Sequence, residues 1–300
     1  TLTSTTLSAP MKGSVVPRGD EQVLDLAVGI DGDLVRVAEH LRKALGPSYD
    51  DAAGEGRLRG TVTAMGPTGH GGRDLRLAGD LTFQKLGAGG LVASDGKIAL
   101  SRPAPGTPLT ATVTSVVNRG TLRVDGSCDL GKGESPWTAK VAVRGLDTSP
   151  MLTGKGAGKA LTLVLPAIVP ASATSSALSG LLDADLDVRS AALGSPSMTK
   201  TLAGPGSVRM TQGQVKDSTL FGSLAGGGGA GKGLDVLLKL VPGVGKTFGE
   251  LSKALLFSEL SSTFTLGNER IALNPVVLVS PSVTLRFTGN VGFDGSGDLD

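Results

Sequence analysis

The feature that most constrains this chain is strict alternation of apolar and polar residues. In Leu182–Val188 the apolar set is Leu182, Ala184, Leu186 and Val188, and the polar set is Asp183, Asp185, Asp187 and, one step on, Arg189. A period of two places the sets on opposite faces of a strand, one half-buried and one wet. Val283, Leu285, Phe287, Val291 and Phe293 repeat the pattern against Thr284, Arg286, Thr288, Asn290 and Asp294. Leu75, Leu77, Leu81 and Phe83 do the same against Asp74, Arg76, Asp80 and Thr82. These twelve residues (Leu75, Leu77, Leu81, Phe83, Leu182, Leu186, Val188, Val283, Leu285, Phe287, Val291 and Phe293) are the candidate lining of one apolar face. What covers that face is the functional question.

The rest of the chain keeps the rhythm. Strand text recurs in RLRGTVTAM, RDLRLAGDLTFQKL, GLVASDGKIALS, LTATVTSVV, GTLRVDGSCDL and WTAKVAVRGL, with no helical pattern between strands. That order predicts an antiparallel meander and not βαβ units. The 46 Gly and 16 Pro are dispersed, as many turns require. The fold expected is mainly β: a long curved antiparallel sheet, a groove-like meander, with a few short helices. Asp33 is placed to cap a helix over residues 33–45, stopped by Gly46-Pro47. The organisation expected is a repeated strand segment over 1–150, an irregular boundary over 151–176, and a second strand segment over 177–300 with a helical insert at 233–256.

Composition excludes several classes. A net charge of +2 gives no field for phosphate neutralisation, so no nucleic-acid partner is expected. One cysteine, Cys128, excludes an internal disulfide framework, and its place beside Leu122, Val124 and Leu130 reads as a small buried hydrophobe. GVGKT within Val241–Gly249 resembles a phosphate loop, but Leu240 stands where the pattern needs Gly. GGGGAGKG from Gly226 has Gly233 where Ser or Thr must meet magnesium, so no nucleotide and no cofactor are expected. His40 and His70 are far apart, which argues against a metal pair. Asp183, Asp185 and Asp187 share one wet face with no apolar pocket to raise a pKa, so they read as a hydrated surface and not as an acid–base pair. No enzymatic activity is expected. No run approaches the ~18 apolar residues of a spanning helix, and the chain reads as a piece of a longer protein.

From Ala177 onward the residues resemble the AsmA family, including its TamB-type relatives. The segment LSGLLDADLDV is followed by a Leu-x-Gly-x-Gly-x-hydrophobic pattern at Leu202, Gly204, Gly206, Val208 and Gly213. Phe257, Leu260, Phe264, Leu266, Gly267 and Asn268 resemble the family's closing element, and Ser280, Pro281, Gly289 and Gly292 its finish. Pro205 and the long apolar stretch at 230–256 depart from the pattern. The resemblance implies a periplasmic protein of a two-membraned bacterium, held in the inner membrane by an anchor outside this chain. It also implies a bridge-like carrier whose partner is phospholipid or another acyl lipid, with envelope proteins as further partners. A one-sided sheet of a dozen strands makes a trough roughly 60 Å long at ~4.8 Å per strand. Two outcomes stay open on the sequence: a lipid-accessible groove, or a closed core serving a non-enzymatic envelope scaffold that adds strands at its edges.

Overall fold

The computed structural model describes residues 2–3, 7–19, 21–45, 52–68, 74–88, 91–130, 135–149, 178–191, 198–216, 254–281, 284–292 and 297–299. In chain order the strands are β1 (Leu2–Thr3), β2 (Leu7–Ala9), β3 (Met11–Arg18) and β4 (Glu21–Asp33), followed by helix α1 (Leu34–Leu45). Then come β5 (Ala53–Pro67), β6 (Arg76–Ala88), β7 (Leu91–Arg102), β8 (Leu109–Val117), β9 (Gly120–Cys128) and β10 (Trp137–Asp147). The remainder is β11 (Leu178–Ser190), the single turn α2 (Met198–Thr201), β12 (Gly204–Lys216), β13 (Ala254–Gly267), β14 (Arg270–Val279), β15 (Thr284–Gly292) and β16 (Gly297–Leu299). The described strands form one 16-stranded sheet in which almost every strand pairs with its sequence neighbour, and β3 and β2 share the edge of β4. All pairings are antiparallel. β1 and β16 do not meet, so the sheet is open and not a barrel. β10 pairs directly with β11, which carries the sheet across the expected boundary at 151–176.

Local chemistry explains the elements. Asp33 caps α1, its Oδ1 accepting from Val35 N–H at 2.9 Å. Leu34 and Ala38 are fully buried on the helix side packed against β4, β5 and β6. Asn118-Arg119 and Asn268-Glu269 close two-residue hairpins with positive φ at both positions (44° and 70°; 54° and 57°), the backbone that matches strand twist. Asn118 also ties neighbouring strand ends, its Oδ1 accepting from Val92 N–H and its backbone C=O from Asp147 N–H.

The insert expected as helix over 233–256 is corrected at its end: Ala254, Leu255 and Leu256 begin strand β13, paired in turn with Lys216, Val215 and Gln214 of β12. Phe257 sets that pairing by packing over Gly213 on the strand beside it. Residues 233–253, like GVGKT and GGGGAGKG, lie outside the described residues, as do His70 and the 151–176 segment.

The core is one-sided. Val188, Leu182, Val208, Met210, Phe257, Leu260, Phe264, Leu266, Ile271, Leu273, Val276 and Leu278 form a buried cluster on β11–β14, joined by Val117 and Leu146. Met210 is 0% exposed and Leu260 and Val276 are each 1% exposed.

Candidate functional site

The pairing registers turn the alternation of single strands into rows that cross the whole sheet. One row runs Ile30, Gly60, Leu81, Ile98, Val113, Val124, Val141, Leu186, Gly206, Phe264, Leu273, Gly289 and Leu299, one residue from each strand between β4 and β16. Every member is apolar or glycine. A neighbouring row carries Leu58, Phe83 and Gly96 as far as β7, breaks at the register shift there, and from β8 on carries Ser115, Leu122, Val143, Ala184, Val208, Ser262, Val276 and Phe287. A third, Leu146, Leu182, Met210, Leu260, Leu278 and Leu285, spans β10 to β15.

These rows place the expected lining. Leu81 and Leu186 share the first row, Phe83 and Phe287 the second, and Leu182 and Leu285 the third. Val188 pairs with Ala139, one row further along, and Val291 pairs with Ile271. Leu77 pairs with Ala64 on the same face, and Leu75 immediately precedes β6. Val283 and Phe293 lie outside the described residues. Leu75, Leu77, Leu81 and Leu186 are half-buried, whereas Phe83, Leu182 and Val188 belong to the sealed core. Ile30, Val62, Ile98, Leu100, Val113, Val124 and Val141 belong to the same face, and the alternation in IDGD, GTVTA, KIALS, TATVTSV, LRVDG and AKVAV carries their signal.

The face is graded along its length. From Ile30 to Leu186 the first row is half-buried throughout, and at Phe264 and Leu273 it is sealed. Eight strands at ~4.8 Å spacing make the half-buried stretch about 34 Å long. Phenylalanines and glycines are paired across strands: Phe83 lies over Gly96, Phe264 over Gly206 and Phe257 over Gly213, so that a Cβ at any of these glycines would overlap the ring.

The opposite face is charged and internally compensated. Arg57 and Arg59 reach Asp31, Lys85 reaches Glu55, Arg123 reaches Asp125, Lys140 reaches Asp187, Arg144 reaches Asp185 and Arg209 reaches Glu259. Hydrogen bonds from Arg57, Lys85 and Arg209 hold Asp31, Glu55 and Glu259 below their ordinary pKa. Arg123 and then Thr112 do the same for Asp125. Asp183 has a different partner: its Oδ1 accepts from Gly145 N–H at 2.7 Å. Two hollows of about 560 and 480 Å³ lie on this polar face, bordered by Arg144, Asp183, Asp185 and Arg209, and by Asp125, Lys140 and Asp187. No cluster of three metal-ligating side chains occurs among the described residues, and no described helix is long and apolar enough to cross a membrane. His40 is exposed, its Nδ1 2.8 Å from the Arg36 carbonyl oxygen. Cys128 sits on β9 opposite Leu109 and Trp137, and burial, then Asp129, raises its thiol pKa.

Fold and face together define a class: an open, one-sided antiparallel β-sheet protein with a continuous apolar surface. No family model matches the chain, and neither a curated protein nor a solved structure does.

Proposed function

We propose that this chain is a periplasmic segment of an AsmA-like protein that holds lipid acyl chains against its apolar face and supports phospholipid passage between the inner and outer membranes. The observation that carries the reading is the unbroken apolar row from Ile30 to Leu186 on an open sheet, half-buried along its length. Its ~34 Å exceeds one lipid tail, which occupies about half of a ~30 Å hydrocarbon core. Each buried methylene contributes about 0.8 kcal/mol, and a face without directional bonds lets a tail slide. The resemblance of residues 177–300 to the AsmA pattern supports the same reading. The acyl contact falls on Leu75, Leu77, Leu81 and Leu186, with Ile98, Val113 and Val124 beside them, because Phe83, Leu182 and Val188 are sealed.

The test uses a photo-crosslinking residue at Leu81 or Ile98 on the apolar face, and at Thr82 or Lys97 on the polar face. The purified chain is exposed to phosphatidylethanolamine vesicles and analysed by mass spectrometry. Lipid adducts at the first pair and none at the second are expected. Equal labelling of both faces, or none, refutes the reading. The sealed core of β11–β14 favours a passive envelope scaffold as the second reading, and that scaffold is what remains if no adduct forms.

A further inference from the structure

The sheet carries a second regularity that the apolar rows do not explain. Extra residues interrupt the register of β5 at Gly56-Arg57, β7 at Asp95-Gly96, β10 at Arg144-Gly145, β12 at Gln212-Gly213 and β14 at Asn274-Pro275. All five lie within a few residues of the row through Phe83, Val143 and Val208, so they form one band across the sheet. Four share a backbone device: Gly56, Asp95, Gly145 and Gln212 have φ of 85°, 52°, 62° and 52°. The left-handed conformation inserts one residue and turns the strand. Two of the freed donors are held by side chains of neighbouring strands. Gln84 Oε1 accepts from Arg57 N–H at 2.8 Å, and Asp183 Oδ1 accepts from Gly145 N–H.

One isolated bulge re-aims one side chain. Bulges repeated at one level on every second or third strand bend the sheet along a line. We propose that this band is the crease of the trough: it turns the strand ends beyond it towards the apolar face, and Asp183 is a positioning residue that locks the crease where β10 meets β11. The crease itself follows from the registers alone; that it decides whether an acyl chain is enclosed rests on the lipid reading above.

Deleting Asp95, or separately Gln212, removes one extra residue and restores plain alternation. Small-angle scattering of the folded deletion variant should show a flatter, wider particle, and retention of phosphatidylethanolamine should drop at least several-fold. A scattering profile identical to that of the unaltered chain overturns the crease. Should the unaltered chain retain no lipid, the lipid reading fails while the scattering comparison still decides the crease. A gentler pair guards against misfolding. Asp183→Asn keeps an acceptor for Gly145 and Asp183→Leu does not, so hydrogen exchange at the Gly145 amide should accelerate in the second and stay near that of the unaltered chain in the first. Equal exchange in both variants overturns the locking role.

Discussion

At the scale of single residues, two kinds of glycine hold this sheet, and they differ physically. Gly56 and Gly145 supply left-handed backbone at bulges. Gly206 and Gly213 supply space, because Phe264 and Phe257 lie over them on the next strand. Filling that space with Gly213→Val forces the Phe257 ring out of a position where it is 3% exposed. Overpacking of this kind costs about 1–3 kcal/mol. A fall of that size in chemical denaturation is expected for Gly213→Val, and no larger one for the open site Gly126, whose Cβ would meet only ordinary contacts. Met210→Ala empties the centre of the buried cluster, and its expected loss is about 3 kcal/mol. The charged face predicts little by comparison. Asp31, Glu55, Asp125 and Glu259 are bound by cations, and their folded pKa values lie below the ordinary 3.8 for Asp and 4.5 for Glu. The stability they contribute is present above those ordinary values and is lost as pH falls through the lower folded ones. All of these pairs are solvent-exposed, so a melting temperature nearly constant from pH 8 to pH 5, with a shallow decline below pH 4, is the expected profile. Raising salt to about 0.5 M screens such pairs and should shift it only slightly.

At the scale of elements, what was legible in the sequence is what period two encodes. The strands of 76–88, 137–147 and 178–190 and the helix behind Asp33 follow from alternation and a cap, and each is present. The bulges were not legible from alternation, because an inserted residue reads as noise in the pattern. Their trace is a small-or-polar residue beside Gly inside a strand, as in GEGR, SDGK, VRGL and TQGQ. The start of β13 is ambiguous in the sequence for a related reason. Ala254, Leu255 and Leu256 form a continuous apolar run, which a buried strand and a helix share, and pairing with β12 decides the matter. The grading of the face was illegible altogether. Leu81 and Leu182 have the same local pattern, yet one is half-buried and the other sealed, since burial depends on what lies across the sheet. Grading makes a prediction at this scale. Leu81→Asp and Ile98→Asp should remove lipid retention and leave the circular dichroism spectrum intact. Leu260→Asp buries an unpaired charge in the core and should unfold the surrounding strands with or without lipid.

At the scale of the molecule, an open sheet in which strands touch mainly their sequence neighbours behaves as a one-dimensional stack. Its stability is a sum of local terms and not a single global one. Those terms are unequal. β12–β14 carry most of the buried cluster, whereas β3 is exposed along its whole length, with Met11 41% and Val15 49% exposed. β3 is also guarded as an edge, by Lys12, Arg18 and Pro17, in the way natural sheets blunt strands that would otherwise recruit partners. Unfolding should therefore start at the β3–β6 end and reach β12–β14 last. Hydrogen exchange along a guanidinium series should show amides of β4–β6 losing protection at lower denaturant than those of β12–β14. A single transition shared by all strands would contradict the stack. Binding to the native state alone raises stability by RT ln(1 + [L]/Kd), about 2.7 kcal/mol at a hundredfold excess over Kd. If acyl chains occupy the half-buried stretch, phosphatidylethanolamine should delay loss of protection in β4–β10 and leave the β12–β14 transition where it was. Uniform delay across all strands would place the lipid elsewhere.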